Sequence, residues 1–122
     1  MKHTIFVYGS LRQGFGNHPI LDGCTFVGKA KTLPKFTMLH MGGFPGIVEV
    51  GDTAIMGELY EVDDLTLGNL DHLEGHPDFY QRKPIQVEGD TLNGWVEAYI
   101  LPDGWERSVT NIIQSGDWAK RG

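Results

Sequence analysis

Seventeen glycines are spread along the whole of this 122-residue chain, and they separate short apolar runs. Glycine weakens strand interiors and is favoured at tight turns, so this distribution predicts many short strands rather than a linker. Residues 5–7 are apolar without interruption, which is typical of a strand buried on both faces. Residues 55–62 alternate in their second half, as a half-buried strand does. Further strands are predicted at residues 25–30, 36–40, 47–50, 86–88 and 95–100.

One main helix is predicted after residue 63. Asp63 can cap its first turn, and Gly75 is suited to the left-handed conformation that ends a helix, with Pro77 just beyond. Three leucines recur between them at helical spacing: Leu67, Leu70 and Leu73. One helix against six to seven short strands predicts an α+β fold, and the glycine density favours a curled sheet or small barrel. Residues 109–113 fit either strand or helix.

Composition limits the class of protein. The length predicts a single domain over residues 1–122. The net charge of −6, without a run of Lys or Arg, argues against a nucleic-acid surface. The N-terminal residues resemble neither a signal peptide nor a membrane span, so we expect no membrane partner. Cys24 is the single cysteine, which fits a reducing cytoplasm, and we expect it to be a small buried hydrophobe rather than a nucleophile.

The first candidate site is the turn from Tyr8 to Leu11, which follows the first predicted strand. Backbone N–H groups at such a turn can converge on an anion. Gly9 is expected to need a positive φ or close approach of the substrate. Ser10 is expected to supply an N–H group or a hydroxyl hydrogen bond, because the turn lacks the second glycine of a nucleophile elbow.

The second candidate is Glu74, near the end of the predicted helix. At 100° per residue it falls between the azimuths of Leu67 and Leu70, inside the apolar stripe. Burial and the negative end of the helix dipole would both raise the pKa of its carboxyl group, as a general acid/base requires. In the alternative interpretation, the last turn frays and Glu74 points into water. Asp71 is expected to face solvent.

The sequence predicts neither a zinc site nor a phosphate loop. His72 and His76 flank Glu74, but a zinc-protease helix needs the glutamate directly after the first histidine and both histidines on one face. Gly75 is expected to end the helix before His76 joins that face, so we expect no metal. The glycines at residues 14–16 are not followed by Lys and Ser or Thr, so no phosphate loop is predicted.

Several short motifs occur in a consistent order over nearly the full length. They are residues 7–12 with Gly14, Asn17 and His18; residues 44–46; residues 57–60; residues 70–75 with Tyr80 and Arg82; and residues 115–118. In these motifs the chain resembles the gamma-glutamylcyclotransferase family, most closely its small gamma-glutamylamine cyclotransferase-like branch.

The resemblance implies a compact mixed β-barrel with the helix packed alongside. It implies a cofactor-free, amide-cleaving enzyme that releases an amine or amino acid from a small gamma-glutamyl compound and forms 5-oxoproline. Tyr8, Gly9, Ser10 and Leu11 would hold the glutamyl head of the substrate. Glu74 would be the catalytic residue, taking a proton from the substrate's α-amine and returning it to the leaving nitrogen.

Other conspicuous residues have both structural and functional interpretations. Tyr80 and Tyr99 could line the pocket or be ordinary buried tyrosines with one hydrogen bond. Arg82 is expected to pair with an internal carboxylate rather than to touch substrate. Arg12 could meet a carboxylate or be solvated. Glu58 is the rival carboxylate, because it is polar within an apolar strand and could face the barrel interior.

Two alternative functions remain open at this point. The domain could bind a small amino-acid-like molecule without catalysis, or it could perform an amide-cleaving step on an unfamiliar acyl-linked substrate. The loops at residues 14–19 and 102–107 are expected to shape the side of the pocket that receives the leaving group. Monomer and homodimer are equally compatible with the sequence.

Overall fold

The computed structural model describes residues 1–121 and consists mainly of seven strands and one three-turn helix. Each predicted strand is present, although several extend further than the apolar runs alone suggested. The elements in chain order are β1 (Lys2–Val7), β2 (Thr25–Thr32), β3 (Phe36–His40), β4 (Pro45–Thr53), β5 (Met56–Asp63), α1 (Asp64–Glu74), β6 (Gln81–Gly89), β7 (Asn93–Ile100) and the single-turn α2 (Trp105–Ser108).

Five strands close into a barrel in the order β1-β5-β2-β6-β7. The barrel is mixed, because β1 pairs antiparallel with β5 on one side and parallel with β7 on the other. The strands β3 and β4 form a separate two-stranded sheet, which is joined to the end of β7 by a hydrogen bond from the Leu101 N–H to the Ile47 carbonyl (2.9 Å). The predicted α+β barrel with one main helix is confirmed.

The strand β1 is buried on both faces, as its uninterrupted apolar run predicted. Ile5, Phe6 and Val7 are each at most 3% exposed. Successive side chains of a strand point to opposite faces, and Phe6 accordingly packs in one apolar cluster while Ile5 and Val7 pack in another. The strand therefore lies between two cores, and the turn that follows it begins from a rigid support.

The two ends of α1 are those that the sequence predicted. The carboxylate of Asp63 accepts a hydrogen bond from the Thr66 N–H (2.8 Å), which caps the first turn. Gly75 adopts the left-handed conformation with φ of 68°. The N–H groups of Gly75 and His76 then donate to carbonyls of the last turn, which is the Schellman arrangement of a helix end.

The leucine stripe of α1 differs from the prediction at its third member. Leu67 and Leu70 are buried against the barrel, but Leu73 is 42% exposed. It lies in the last turn and borders a cavity rather than the core.

Three further expectations can be compared with the structure. Residues 109–113 form neither a strand nor a helix; they run alongside β3 through an isolated bridge between Leu39 and Ile112. Cys24 is only partly buried, at the edge of the second apolar cluster, and not fully buried as expected. Among residues 1–121, none of the helices has the length and apolar character needed to cross a membrane.

Leu70→Ala should destabilise the protein by about 2–5 kcal/mol, because this side chain is fully buried and its removal leaves a cavity. Leu65→Ala, on the same helix but 75% exposed, is the matched control and should change stability by less than about 0.5 kcal/mol. Urea denaturation of both variants measures the difference. Equal losses would mean that α1 does not pack through the face described.

Candidate active site

A cavity of about 360 Å³ opens where five parts of the fold meet: the turn after β1, the tip of the β3–β4 hairpin, the end of α1, the segment between α1 and β6, and the end of β7. Every residue predicted for the site lines this cavity. They are Tyr8, Gly9, Ser10, Leu11, Glu74, Tyr80 and Tyr99.

The turn after β1 is closed by a hydrogen bond from the Arg12 N–H to the Gly9 carbonyl (3.1 Å). Gly9 is not among the glycines with positive φ, so the first of the two reasons expected for a glycine here is wrong, and close approach of the substrate stays a prediction. A Cβ atom at this position would instead lie 2.9 Å from Cγ of Pro45. Gly9 is therefore needed because the hairpin tip packs directly against the turn.

The turn, whose residues line the cavity, carries free backbone donors. Within residues 1–121, the N–H groups of Gly9, Ser10 and Leu11 have no acceptor. Asn17 occupies the other polar atoms of Ser10, since its N–H donates to the Ser10 carbonyl (2.9 Å) and its Nδ2 donates to the Ser10 Oγ (2.8 Å). The backbone N–H of Ser10 is thus left available for an anion, and so is its O–H, because the Oγ only accepts the hydrogen bond from Asn17.

Three tyrosines hold the walls of the cavity together through their hydroxyl groups. Tyr8 donates to the carbonyl of Tyr99, Tyr80 donates to the carbonyl of Pro45, and Tyr99 donates to Oδ1 of Asp71, each at 2.6 Å. Burial raises the pKa of all three hydroxyls above their ordinary value of 10. They therefore remain protonated donors near neutral pH and fix the positions of the turn, the hairpin and the helix.

Asp71 does not face solvent, contrary to expectation. Its carboxylate accepts the Tyr99 hydrogen bond, and its Oδ1 lies 3.6 Å from Nε of Arg82. The same Nε lies 3.5 Å from Oε2 of Glu97. Arg82 therefore joins carboxylates on α1 and β7, as the sequence predicted, and does not line the cavity.

Arg12 and Glu58 belong to a second polar cluster beside the turn. Arg12 donates to Oδ1 of Asp117 (2.8 Å), and its Nε lies 3.5 Å from Oε2 of Glu58. The Gln13 N–H and the Tyr60 hydroxyl both donate to Oε1 of Glu58 (2.9 Å each). Glu58 is therefore paired, hydrogen-bonded and outside the cavity lining, so it is not a rival to Glu74.

Glu74 differs from Glu58 because no ion pair or hydrogen bond to its carboxylate occurs within residues 1–121. It is the last residue of α1, and burial alone raises the pKa of its carboxyl group to about 7. Its charge in turn raises the pKa of Tyr8, Tyr80 and Tyr99, so all three lie close to it. The interpretation in which the last turn frays into water is wrong. The regular cap at Gly75 holds Glu74 against the cavity.

The two loops predicted to shape the leaving-group side contribute little. Of residues 14–19 only Asn17 lines the cavity, and no member of residues 102–107 does. Leu73, Phe44 and Phe79 contribute the apolar surface instead. Nothing in the sequence indicated that the β3–β4 hairpin would meet the end of α1.

Comparison with known proteins identifies the family. Residues 5–120 match the family model described as "Gamma-glutamyl cyclotransferase, AIG2-like". A protein of Methanocaldococcus jannaschii, whose name provisionally assigns gamma-glutamylcyclotransferase activity, is 42% identical over 119 residues and 93% of each chain. The "Gamma-glutamylaminecyclotransferase" of Bos taurus is 34% identical over 105 residues, or 79% of this chain and 62% of the bovine one.

A solved structure has the same fold. The crystal structure of an AIG2-like protein from Mus musculus superimposes with a TM-score of 0.82 at 27% sequence identity, covering 95% of this chain and 87% of the mouse chain.

The uncompensated burial of Glu74 should make stability depend on pH. Because its pKa is about 7 in the folded protein and ordinarily 4.5, the unfolded chain loses this proton first as pH rises. The contribution of Glu74 is then most favourable below pH 4.5, falls between pH 4.5 and 7, and is constant above that. Glu74→Gln should gain up to about 3 kcal/mol relative to wild type across this range. Urea denaturation at several pH values measures it, and parallel curves would contradict it.

Proposed function

The chain belongs to the gamma-glutamylcyclotransferase family, and on that premise we propose that it releases an amine or amino acid from a gamma-glutamyl amide by forming 5-oxoproline. The observation that carries the proposal is the placement of Glu74. A carboxyl group with a pKa of about 7, which has no compensating partner in the described part of the chain, lines the same cavity as the residues that carry the three free N–H groups of the turn.

In the proposed complex the glutamyl head of the substrate lies against the turn from Tyr8 to Leu11. The N–H groups of Gly9, Ser10 and Leu11 bind its anionic groups and stabilise the negative charge that develops on the γ-carbonyl oxygen. These donors are fixed in advance, because Pro45 packs on Gly9 and the Tyr8 hydroxyl is bound to the carbonyl of Tyr99. Little reorganisation is therefore needed when charge develops.

The reaction proceeds in two proton transfers through Glu74. Its carboxylate takes a proton from the neutral α-amine of the substrate as that nitrogen attacks the γ-carbonyl carbon, forming the ring C–N bond and an oxyanion. The oxyanion then collapses, the bond to the leaving nitrogen breaks, and Glu74 returns the proton to that nitrogen. The products are 5-oxoproline and a free amine, and no cofactor takes part.

The environment of Glu74 suits both steps. A pKa of about 7 leaves comparable amounts of the base and the acid at neutral pH, which is the optimum for a group that must act as each in turn. Ring closure is intramolecular, so the protein gains most by holding the amine near the carbonyl. A site that only binds a ligand has no use for an acid held at this pKa, which favours the enzyme over the non-catalytic alternative.

Glu74→Gln should lower kcat by about 10²–10⁴-fold, the usual contribution of a positioned acid/base, because the amide cannot accept and return the proton. The assay incubates the protein with gamma-glutamyl amines, gamma-glutamyl amino acids and glutathione, and follows 5-oxoproline by mass spectrometry. The matched control is Glu88→Gln, an exposed glutamate of β6 outside the cavity lining, which should keep wild-type turnover. Near wild-type turnover in a folded Glu74→Gln protein would remove Glu74 from the mechanism.

Gly9→Ala should lower kcat/KM more than Ser10→Ala does. The added Cβ would lie 2.9 Å from Pro45 Cγ, so the turn and the hairpin tip must separate and the donors are displaced. Ser10→Ala removes only a hydroxyl that is bound to Asn17 and keeps the N–H group. Loss of activity in Ser10→Ala with a silent Gly9→Ala would indicate serine catalysis and a different reaction class.

A further inference from the structure

We propose that Arg12 is a positioning residue for the reaction: its guanidinium group, held between Glu58 and Asp117, fixes the direction of an N–H donor in the turn after β1. The inference rests on the proposed function, because it concerns the donors that bind the glutamyl head. It gives a role to a largely buried cluster of three charged side chains that lies outside the cavity lining and has no part in the proposed proton transfers.

The backbone of Arg12 ends the turn. Its N–H donates to the Gly9 carbonyl (3.1 Å), and its own carbonyl accepts from the Phe15 N–H (3.0 Å). Arg12 does not line the cavity, so its side chain does not act there by touching a substrate. An effect of the guanidinium group on the reaction must therefore pass through the backbone of the turn.

Two carboxylates hold the Arg12 guanidinium group. Its Nη1 donates to Oδ1 of Asp117 (2.8 Å), and its Nε lies 3.5 Å from Oε2 of Glu58 without a hydrogen bond. The three side chains are at most 15% exposed, so water screens their charges poorly. Among the described residues, no other cation pairs with either carboxylate. Moving the guanidinium group would leave both carboxylates without a cation, which confines the side chain to one place.

Glu58 attaches both ends of the turn to β5. Its backbone is paired with Val7, the last residue of β1. Its Oε1 accepts from the N–H of Gln13 (2.9 Å), one residue beyond Arg12. Because β5 lies between β1 and β2 in the closed barrel, Glu58 is a rigid support. The turn is thus held at residues 7 and 13 by a single side chain and its backbone.

Asp117 is also fixed to the barrel. Its Oδ1 accepts a second hydrogen bond from the Ala119 N–H (2.9 Å), and the carbonyl of Gly116 accepts from a backbone N–H at the start of β5 (2.8 Å). On its other side, Trp118 is 4% exposed in the first apolar cluster. Burial alone would raise the pKa of Asp117, but Arg12 and the Ala119 N–H hold this pKa below its ordinary value of 3.8. The carboxylate is therefore charged near neutral pH.

A fixed Arg12 orients the donor of Ser10 through one peptide plane. The Gly9 carbonyl, which accepts the Arg12 N–H, belongs to the same peptide unit as the Ser10 N–H. That peptide is trans, so its N–H points opposite to its C=O. The hydrogen bond from Arg12 therefore sets the direction of the Ser10 N–H, and a displaced Arg12 would turn this donor away from the substrate.

Arg12→Lys keeps the charge but replaces two nitrogens that face different carboxylates by one. We expect kcat for gamma-glutamyl amides to fall about 10- to 100-fold, the effect of a misplaced donor, in protein that circular dichroism shows to be folded. The control is Arg107→Lys. Arg107 is an exposed arginine of α2, outside the cluster and the cavity lining, so this variant should keep wild-type kcat.

Asp117→Asn tests the same cluster with almost no change in shape, and it should also lower kcat. The double variant Arg12→Lys/Asp117→Asn should lose no more than the larger of the two single losses, because residues that act as one unit are not additive. If Arg12→Lys does not fold, the kcat of Asp117→Asn decides the inference.

A titration with 5-oxoproline, followed by ¹H–¹⁵N NMR, separates positioning from stability. In wild type we expect the amide resonances of Gly9, Ser10 and Leu11 to shift as the carboxylate of 5-oxoproline binds. In Arg12→Lys these resonances should already differ in the free protein, and the Kd for 5-oxoproline should rise by about tenfold.

The outcomes separate this inference from the function on which it rests. A folded Arg12→Lys protein that is less stable but keeps wild-type kcat and the wild-type amide response would overturn the inference and leave the cyclotransferase proposal standing. Single losses that multiply in the double variant would overturn the cluster as a unit. Absence of 5-oxoproline from every gamma-glutamyl compound, with folded wild type, would overturn the proposed function and the role of Arg12 in it.

Discussion

Closure of the barrel through the parallel pairing of β1 with β7 is the constraint on which the rest of the site depends. The pairing places the end of β1 beside the middle of β7, with Phe6 opposite Ala98. Tyr8, just beyond β1, can then donate its hydroxyl to the carbonyl of Tyr99, and the Tyr99 hydroxyl reaches Asp71 on α1. One chain of contacts thus runs from the turn after β1 through β7 to the helix that carries Glu74.

The carboxyl group of Glu74, at the end of this chain of contacts, has no positively charged partner and no hydrogen-bond donor among residues 1–121. Glu58 is more fully buried than Glu74, but it has Arg12 nearby and two hydrogen-bond donors. Glu74 has burial without such partners, at the end of a helix where negative charge is disfavoured. The raised pKa has two consequences: ionising Glu74 lowers the stability of the folded protein, and its carboxyl group can exchange a proton near neutral pH. The contrast between these two glutamates distinguishes the paired carboxylate of Glu58 from the one that we propose acts in catalysis.

The sequence predicted the elements well because their signals are local. The ends of α1 follow from Asp63 and Gly75, whose capping roles depend only on neighbouring backbone, and the uninterrupted apolar run of β1 predicted its burial on both faces. The position of Glu74 followed from helical geometry. These features could be predicted without knowing which residues pack against them.

The predictions that failed depend on contacts between distant segments. Leu73 is exposed because it borders the cavity and not the core, and the Asp71 carboxylate is bound by Tyr99, 28 residues away. Gly9 is required by Pro45 from the hairpin, not by its own φ. The contact between Phe44 and Phe79 in the cavity wall escaped prediction for the same reason, since the two rings meet only in the folded chain.

The ionisation of Glu74 is the central physical claim, and it can be measured without a substrate. In a ¹³C NMR titration of protein labelled at glutamate carboxyl carbons, the resonance that disappears in Glu74→Gln identifies the group. It should titrate with a pKa of about 7. Titration at the ordinary value of 4.5 would show that Glu74 is solvated or paired, and would contradict its assignment as the acid/base of the site.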